Sequence, residues 1–236
     1  MDTYEAVFKV VSGGRVLDVA TGSGGFVDVL VDTLQDFDEI IGIDISERSL
    51  ATARESFPQG NIRFMQMDAN RMEFPHGAFD TVCIAGSLHH MRNLTLVFSE
   101  MIRVLKPGGH FIVSEMYRDQ PTEPQMTHVL LHHWWAAVDM AQGLIHLETF
   151  TRQKIVDLLQ ALPLYGLQFY DVAYLAGDPK EAGLASELDK IINRYNERTV
   201  GMPYELVLQQ SGEELRQRVK EIGFWEATSL VAIGKK

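Results

Sequence analysis

In the stretch LDVATGSGGF (Leu17–Phe26) an acid, Asp18, is followed by Gly22, Gly24 and Gly25 at the end of an apolar run. A glycine turn between a strand and a helix brings backbone N–H groups close to a ligand, most often a phosphate. The dinucleotide fingerprint G-x-G-x-x-G is incomplete, because Gly22 and Gly24 fill its first two positions and Val27 its third. A P-loop fails as well, since no G-K-[ST] follows. Asp18 would repel a pyrophosphate at close range but would attract a cation. S-adenosylmethionine carries an ammonium and a sulfonium, so electrostatics favours that donor over a nicotinamide dinucleotide.

Two further acids sit at the ends of apolar runs. Asp44 closes IIGID about twenty residues beyond the loop, where a carboxylate can accept both ribose hydroxyls of a nucleoside. Asp68 closes IRFMQMD, at the carboxyl end of a third run, where open α/β sheets bind their ligands. SLHHM places His89 and His90 just past a fourth run. Histidine is the side chain suited to move a proton near neutral pH.

These residues need a frame that brings strand ends together. Short apolar runs alternate with amphipathic stretches through the first two-thirds of the chain, the pattern of a parallel sheet covered by helices. Strands are expected at Arg15–Val19, Glu39–Ile43, Ile62–Gln66, Phe79–Ala85 and His110–Glu115, with helices near Gly25–Thr33, Glu47–Ser56 and Leu94–Leu105. KPGG (Lys106–Gly109) reads as the turn between the last of these helices and the last strand. Beyond Glu115 the capping-box pattern TEPQ (Thr122–Gln125) opens a helix reaching toward Gly143, and another helix follows near Arg152–Leu162. Strands are expected at Leu167–Ala176 and Trp225–Ile233. Between them one helix runs from Asp178 toward Tyr195, and another is capped by SGEE at Ser211 and stopped by Gly223.

Four segments resemble the class I S-adenosylmethionine-dependent methyltransferases, in the type 11 group related to quinone-biosynthesis methyltransferases. They are VLDVATGSGGF, IIGIDIS, MQMDANRMEFPHGAFDTVCIAGSLHHM and MIRVLKPGGHFIVSE, which together span Arg15 to Glu115. The resemblance implies an α/β, doubly wound, mostly parallel seven-stranded Rossmann-like sheet. It implies one methyltransferase domain over residues 1–236, with helical cap insertions at 116–150 and 177–223. It assigns the methionine part of the donor to Asp18 and the backbone at Ala20, Gly22 and Gly24. Asp44, with Ile45 beside it, becomes the ribose site, Asp68 and Ala69 the adenine site, and Ala85 the floor beneath the sulfonium. Ala20 stands where glycine is commoner.

Methyl transfer is an in-line displacement at an already activated carbon, so positioning and exclusion of water are the main demands on the enzyme. A general base helps a hydroxyl or acidic carbon acceptor, and His90, with His89 as second choice, is placed for it; packing under the cofactor is the competing role. The catechol-type branch holds magnesium with carboxylates after the fourth strand, but Ala85–Ser87 offers none, so no metal is expected. His128 and His132 share a helix face without a clear third ligand. Gln125, His128, His132, Trp135, Asp139 and Gln142 recur at steps of three and four, forming one polar stripe. The stripe is either a solvated face or an acceptor-facing one that uses His128, His132 and Trp135. Tyr4 and Phe8 could add an edge to the cover.

Net charge is −11, and the cations are scattered, which disfavours a nucleic-acid partner. The only cysteine, Cys83, lies in an apolar run and reads as a small buried hydrophobe. The first twenty residues lack a charged segment leading into an apolar one, and no run reaches membrane-spanning length, so a cytoplasmic setting without a membrane partner is expected. The expected partner is a small-molecule acceptor, and a homodimer is the assembly left open. Two other readings compete with the methyltransferase: a nicotinamide-dependent oxidoreductase, and a regulatory module that binds the donor without transferring its methyl group.

Overall fold

Strands β1 (Arg15–Val19), β2 (Glu39–Asp44) and β4 (Phe79–Ala85) are apolar and β-branched along most of their length, and their interiors are buried. Such runs belong in the middle of a sheet covered on both faces. Strand β3 (Ile62–Gln66) keeps Arg63 and Met65 exposed and takes an edge. With β5 (Leu105–Met116), β6 (Tyr165–Val172) and β7 (Ser229–Lys235), the seven-stranded sheet has the order β3-β2-β1-β4-β5-β7-β6. The pairs β1–β2, β1–β4, β2–β3 and β4–β5 are parallel. Strand β7 runs against β5. The Gly108 N–H donates to Lys236 O (2.6 Å) and the Lys236 N–H to Gly109 O (3.2 Å), while the Tyr117 N–H, just past the far end of β5, meets Thr228 O.

This computed structural model describes residues 2–58 and 60–236. The chain forms two compact units: one of Met1–Glu115, Ile155–Val172 and Leu230–Lys236, the other of Met116–Lys154 and Ala173–Ser229. In the first unit α2 (Gly25–Thr33), α3 (Glu47–Ser56) and α4 (Leu94–Val104) follow β1, β2 and β4. Ser46 and Asn93 cap α3 and α4 by accepting the Ser49 and Leu96 N–H groups. The core includes Phe8, Leu30, Ile40, Leu50, Ile112 and Val231. The second unit is built on α5 (Glu123–Ala141), α7 (Ala182–Arg198) and α8 (Glu205–Glu221), around Leu131, Trp134, Ile192, Leu215 and Phe224. The segments 116–150 and 177–223 both lie in this unit. Helix α6 (Arg152–Gln160) leads into β6. Among the described residues no helix is long and apolar enough to cross a membrane.

Several boundaries differ from those expected. Strand β5 begins at Leu105 rather than His110, since Phe79 faces Leu105 and Thr81 faces His110. KPGG is therefore a bulge opposite Asp80, held by an ion pair from Lys106 Nζ to that residue at 2.7 Å. SGEE does not cap the last helix, because α8 already starts at Glu205 and the Ser211 hydroxyl donates to the Val207 carbonyl. Gly212, inside α8, permits a close approach: a Cβ there would lie 2.6 Å from the Trp134 ring. Strand β6 ends at Val172 rather than Ala176, and β7 starts at Ser229 rather than Trp225. The segment before β1 forms an unforeseen helix, α1 (Tyr4–Phe8). Phe8 is fully buried against Phe26, so it belongs to the core rather than to the rim of a cover. The Tyr4 hydroxyl hydrogen-bonds the Ser114 hydroxyl at 2.8 Å.

Candidate functional site

Parallel pairing aligns the carboxyl ends of β1 to β5, and each of β1, β2 and β5 carries an acid near that end: Asp18, Asp44 and Glu115. Asp68 follows two residues after β3. The chain leaves β1 through a loop in which Ala20, Gly22 and Gly24 all have positive φ (55°, 56° and 90°). Glycine adopts that conformation freely, but alanine pays a steric penalty of about 1–2 kcal/mol. The loop is tied down by the Thr21 N–H to Ile43 O and the Gly24 N–H to Thr21 O, both 2.9 Å. A Cβ on Gly22 would meet nothing within 4 Å, so the loop leaves open space at that point.

Asp44 closes the loop from the neighbouring strand. Its Oδ2 accepts the Gly22 N–H at 2.9 Å and its Oδ1 the Ser46 N–H at 2.8 Å. Each carboxylate oxygen has a second lone pair, so two more donors can be received in a fixed orientation. Ile45, next in the chain, is 71% exposed although apolar, and its carbonyl accepts from Gln66 Nε2. Asp68 Oδ1 accepts both the backbone N–H and the side-chain amide of Asn70 at 2.8 Å. Ala69 is half-buried beside it.

Asp18 is buried, receiving the Thr21 hydroxyl at 2.6 Å and the Cys83 thiol at 3.5 Å. Burial pushes its carboxyl up to about 7, against the opposing effect of the Thr21 and Cys83 hydrogen bonds. Cys83 is fully buried, as its apolar run implies, and burial beside Asp18 raises its thiol well above the ordinary value. A buried acid that meets no cationic side chain among the described residues, beside an open glycine loop, gains most from a positively charged ligand.

Beyond half-buried Ala85 at the end of β4, Leu88–His90 makes a short 3₁₀ turn. His89 is buried, with Nδ1 2.8 Å from Glu115 Oε1, while Glu115 Oε2 accepts the Leu88 N–H at 2.8 Å. His90 is exposed, its ring 4.3 Å from that of His89. The carboxylate partner thus belongs to His89, the second choice for a base. Sequence reasoning missed Glu115, although its place at a strand end was the signal that marked Asp18 and Asp44.

In the second unit the polar stripe of α5 is not a solvated face: Gln125, His132 and Asp139 are buried, while Leu130 and Met140 are exposed. Gln125 Nε2 donates to Glu226 O and Thr228 Oγ1, and His128 Nδ1 accepts the Ala227 N–H at 2.9 Å. Asp139 receives His146 Nδ1 at 2.6 Å, Arg198 through an ion pair and the Tyr195 hydroxyl at 3.3 Å. Burial alone would raise the Asp139 carboxyl, but the hydrogen bonds from His146 and Arg198 outweigh it and hold it below the usual carboxylate range. Half-buried Trp135 packs on Tyr195 with ring centroids 5.9 Å apart. His146, Tyr195 and Arg198 were not singled out in the sequence, because only folding brings them to α5.

Residues 17–113 match the family model described as a methyltransferase domain. The ubiquinone/menaquinone biosynthesis C-methyltransferase of Pseudomonas entomophila is 30% identical over 156 residues, which are 64% of this chain and 60% of that one. Its counterpart from Ectopseudomonas mendocina is 31% identical over 137 residues, 56% and 53% of the two chains. The chain thus spans a little over half the length of these curated relatives. Two solved structures share the fold. An S-adenosylmethionine-dependent methyltransferase from Mesorhizobium loti has a TM-score of 0.53 at 18% identity, covering 96% of this chain and 93% of that one. Haemonchus contortus phosphoethanolamine N-methyltransferase 2, in complex with S-adenosylmethionine, has a TM-score of 0.58 at 17% identity, covering 96% and 49%. The stretch that matches the methyltransferase-domain model carries the glycine loop and, at or just past the strand ends, Asp18, Asp44 and Asp68, and this chain is similar there to the quinone-biosynthesis C-methyltransferases.

Proposed function

We propose that the protein transfers the methyl group of S-adenosylmethionine to a small-molecule acceptor by in-line displacement. The observation that carries this reading is Asp18, a buried carboxyl raised to about 7 beside a loop whose Gly22 faces open space. The same feature speaks against a nicotinamide dinucleotide, whose phosphates would be repelled by an ionised Asp18.

When bound, S-adenosylmethionine supplies a methyl carbon activated by a sulfonium. Asp18, in its ionised form, attracts the cationic amino-acid part, and the backbone at Ala20, Gly22 and Gly24 lines it. Asp44 orients the ribose hydroxyls with the lone pairs left after binding the Gly22 and Ser46 N–H groups. Ile45, Asp68 and Ala69 would hold the adenine, and Ala85 would contribute to the sulfonium's site.

His89, rather than His90, is the base in this proposal. Glu115 accepts the proton on Nδ1, which fixes the tautomer and leaves Nε2 as the basic nitrogen. Glu115 acts through His89 and is a positioning residue. On the acceptor side, Trp135 supports its assignment with an indole N–H that is buried and makes no hydrogen bond among the described residues. An acceptor oxygen would satisfy that donor. His128 and His132 complete the acceptor-side assignment.

The test pairs binding with turnover. Calorimetric titrations with S-adenosylmethionine, S-adenosylhomocysteine and NAD identify the ligand. Methyl transfer from labelled donor to a panel of phenols, quinols, amines and acidic-carbon compounds identifies the reaction. Donor binding with no transfer to any class would favour a regulatory module.

A further inference from the structure

The second unit holds two buried histidines whose contact with each other the methyl-transfer proposal does not explain. His132, on α5, and His146, just beyond that helix, are each more than nine-tenths buried. Their Nε2 atoms lie 3.2 Å apart and their rings are nearly perpendicular, at 81°. His146 Nδ1 is 2.6 Å from Asp139 Oδ2, and Asp139 is itself held by Arg198 and Tyr195. An ionised carboxylate can only accept, so the His146 proton lies on Nδ1 and its Nε2 presents a lone pair toward His132.

Two imidazoles hydrogen-bonded to one another have this spacing, and so do two that share one metal ion. Nitrogens each about 2.0–2.1 Å from a tetrahedral zinc ion lie about 3.3–3.4 Å from one another. A carboxylate on the far ring nitrogen is the usual device for fixing the tautomer and orientation of a metal-bound histidine. A surface pair of histidines would lack that support. The candidate pair read from the sequence, His128 with His132, is replaced here, since His128 Nδ1 is taken by the Ala227 N–H.

We propose that His132 Nε2 and His146 Nε2 bind one divalent cation of the zinc class, with Asp139 orienting His146 and the remaining positions open to water or to an acceptor oxygen. Imidazole nitrogen selects zinc, cobalt, nickel or copper over magnesium and calcium, which prefer oxygen. The pair leaves coordination positions unfilled, so the ion could polarise a bound oxygen as well as brace residues 139–146.

Metal binding by the full, untagged chain after chelator treatment tests this, with Co²⁺ and Zn²⁺ as probes. The expected result is one Co²⁺ per chain, with the visible absorption of a low-coordinate centre, displaced by Zn²⁺ and indifferent to Mg²⁺. His132→Ala and His146→Ala should abolish saturable binding. Asp139→Asn should weaken it about 10–100-fold, and His76→Ala should leave it unchanged. If a variant does not fold, ¹⁵N-histidine spectra of the unaltered chain decide instead: Zn²⁺ should shift two Nε2 resonances and spare His76. Absence of stoichiometric binding, or binding unaffected in folded histidine variants, overturns the proposal. S-adenosylhomocysteine titration of the same proteins reports the donor site separately, so either proposal can fail without the other.

Discussion

The imidazole of His89 and the carboxylate of Glu115 lie 2.8 Å apart, both buried within the first unit, while the adjacent His90 is exposed. Two neighbouring histidines therefore have different physical roles. His89→Ala would strand a buried carboxylate and should cost about 3–5 kcal/mol of stability. His90→Ala, at an exposed position, should shift stability by no more than about 0.5 kcal/mol. Urea denaturation of both variants checks the difference, and equal small effects would show that the buried His89–Glu115 pair does not stabilise the fold.

If His89 is the base, Glu115→Gln should lower kcat by about 10²-fold or more and leave donor affinity near its original value. A parallel fall in donor affinity would indicate a purely structural pair.

Asp18 sets a pH dependence of known sign. Its folded value, about 7, lies above the ordinary 3.8. The protonated carboxyl is thus favoured in the folded state, and its stabilising contribution is complete below about pH 4 and lost as pH rises through 7. A cationic ligand needs the ionised form, so donor affinity should fall as pH drops below 7 while the free protein gains stability from this group. Asp18→Asn should flatten both trends and weaken donor binding at pH 8. Calorimetry and thermal unfolding across pH 5–8 read the two effects.

The loop supplies a contrast between two neighbouring substitutions. Ala20 pays for its φ of 55°, so Ala20→Gly should be neutral to stabilising by about 1 kcal/mol once the added freedom of the unfolded chain is counted. Gly22→Ala meets no protein atom, so its fold cost is confined to the dihedral, about 1–2 kcal/mol. Its methyl group enters the space assigned to the donor, and donor affinity should fall by more than the stability does.

Much of the frame of the candidate site was legible because its strands are largely apolar and its acids sit where those runs stop. Arg15–Val19, Ile62–Gln66 and Phe79–Ala85 have the bounds that hydropathy alone assigns. KPGG has the composition of a turn, but the register shift against β4 keeps it within β5. SGEE matches a cap in composition, yet helical hydrogen bonding continues through it from Glu205. The α5 stripe was seen as a stripe. Its burial was hidden, because Arg198, Tyr195 and His146 supply the partners that make a polar face stable inside, and none of them is near in sequence except His146.

Binding of S-adenosylmethionine by the acids and glycines of the first unit stands or falls on Asp44. Calorimetric titration of S-adenosylhomocysteine into the full chain and into Asp44→Ala, with NAD titrated in parallel, should show one site per chain and no NAD binding. The variant should lose at least about 1.5–3 kcal/mol of binding free energy, the range for hydrogen bonds to a charged group. Unchanged affinity in Asp44→Ala, or NAD binding in place of S-adenosylhomocysteine, would rule out this donor site.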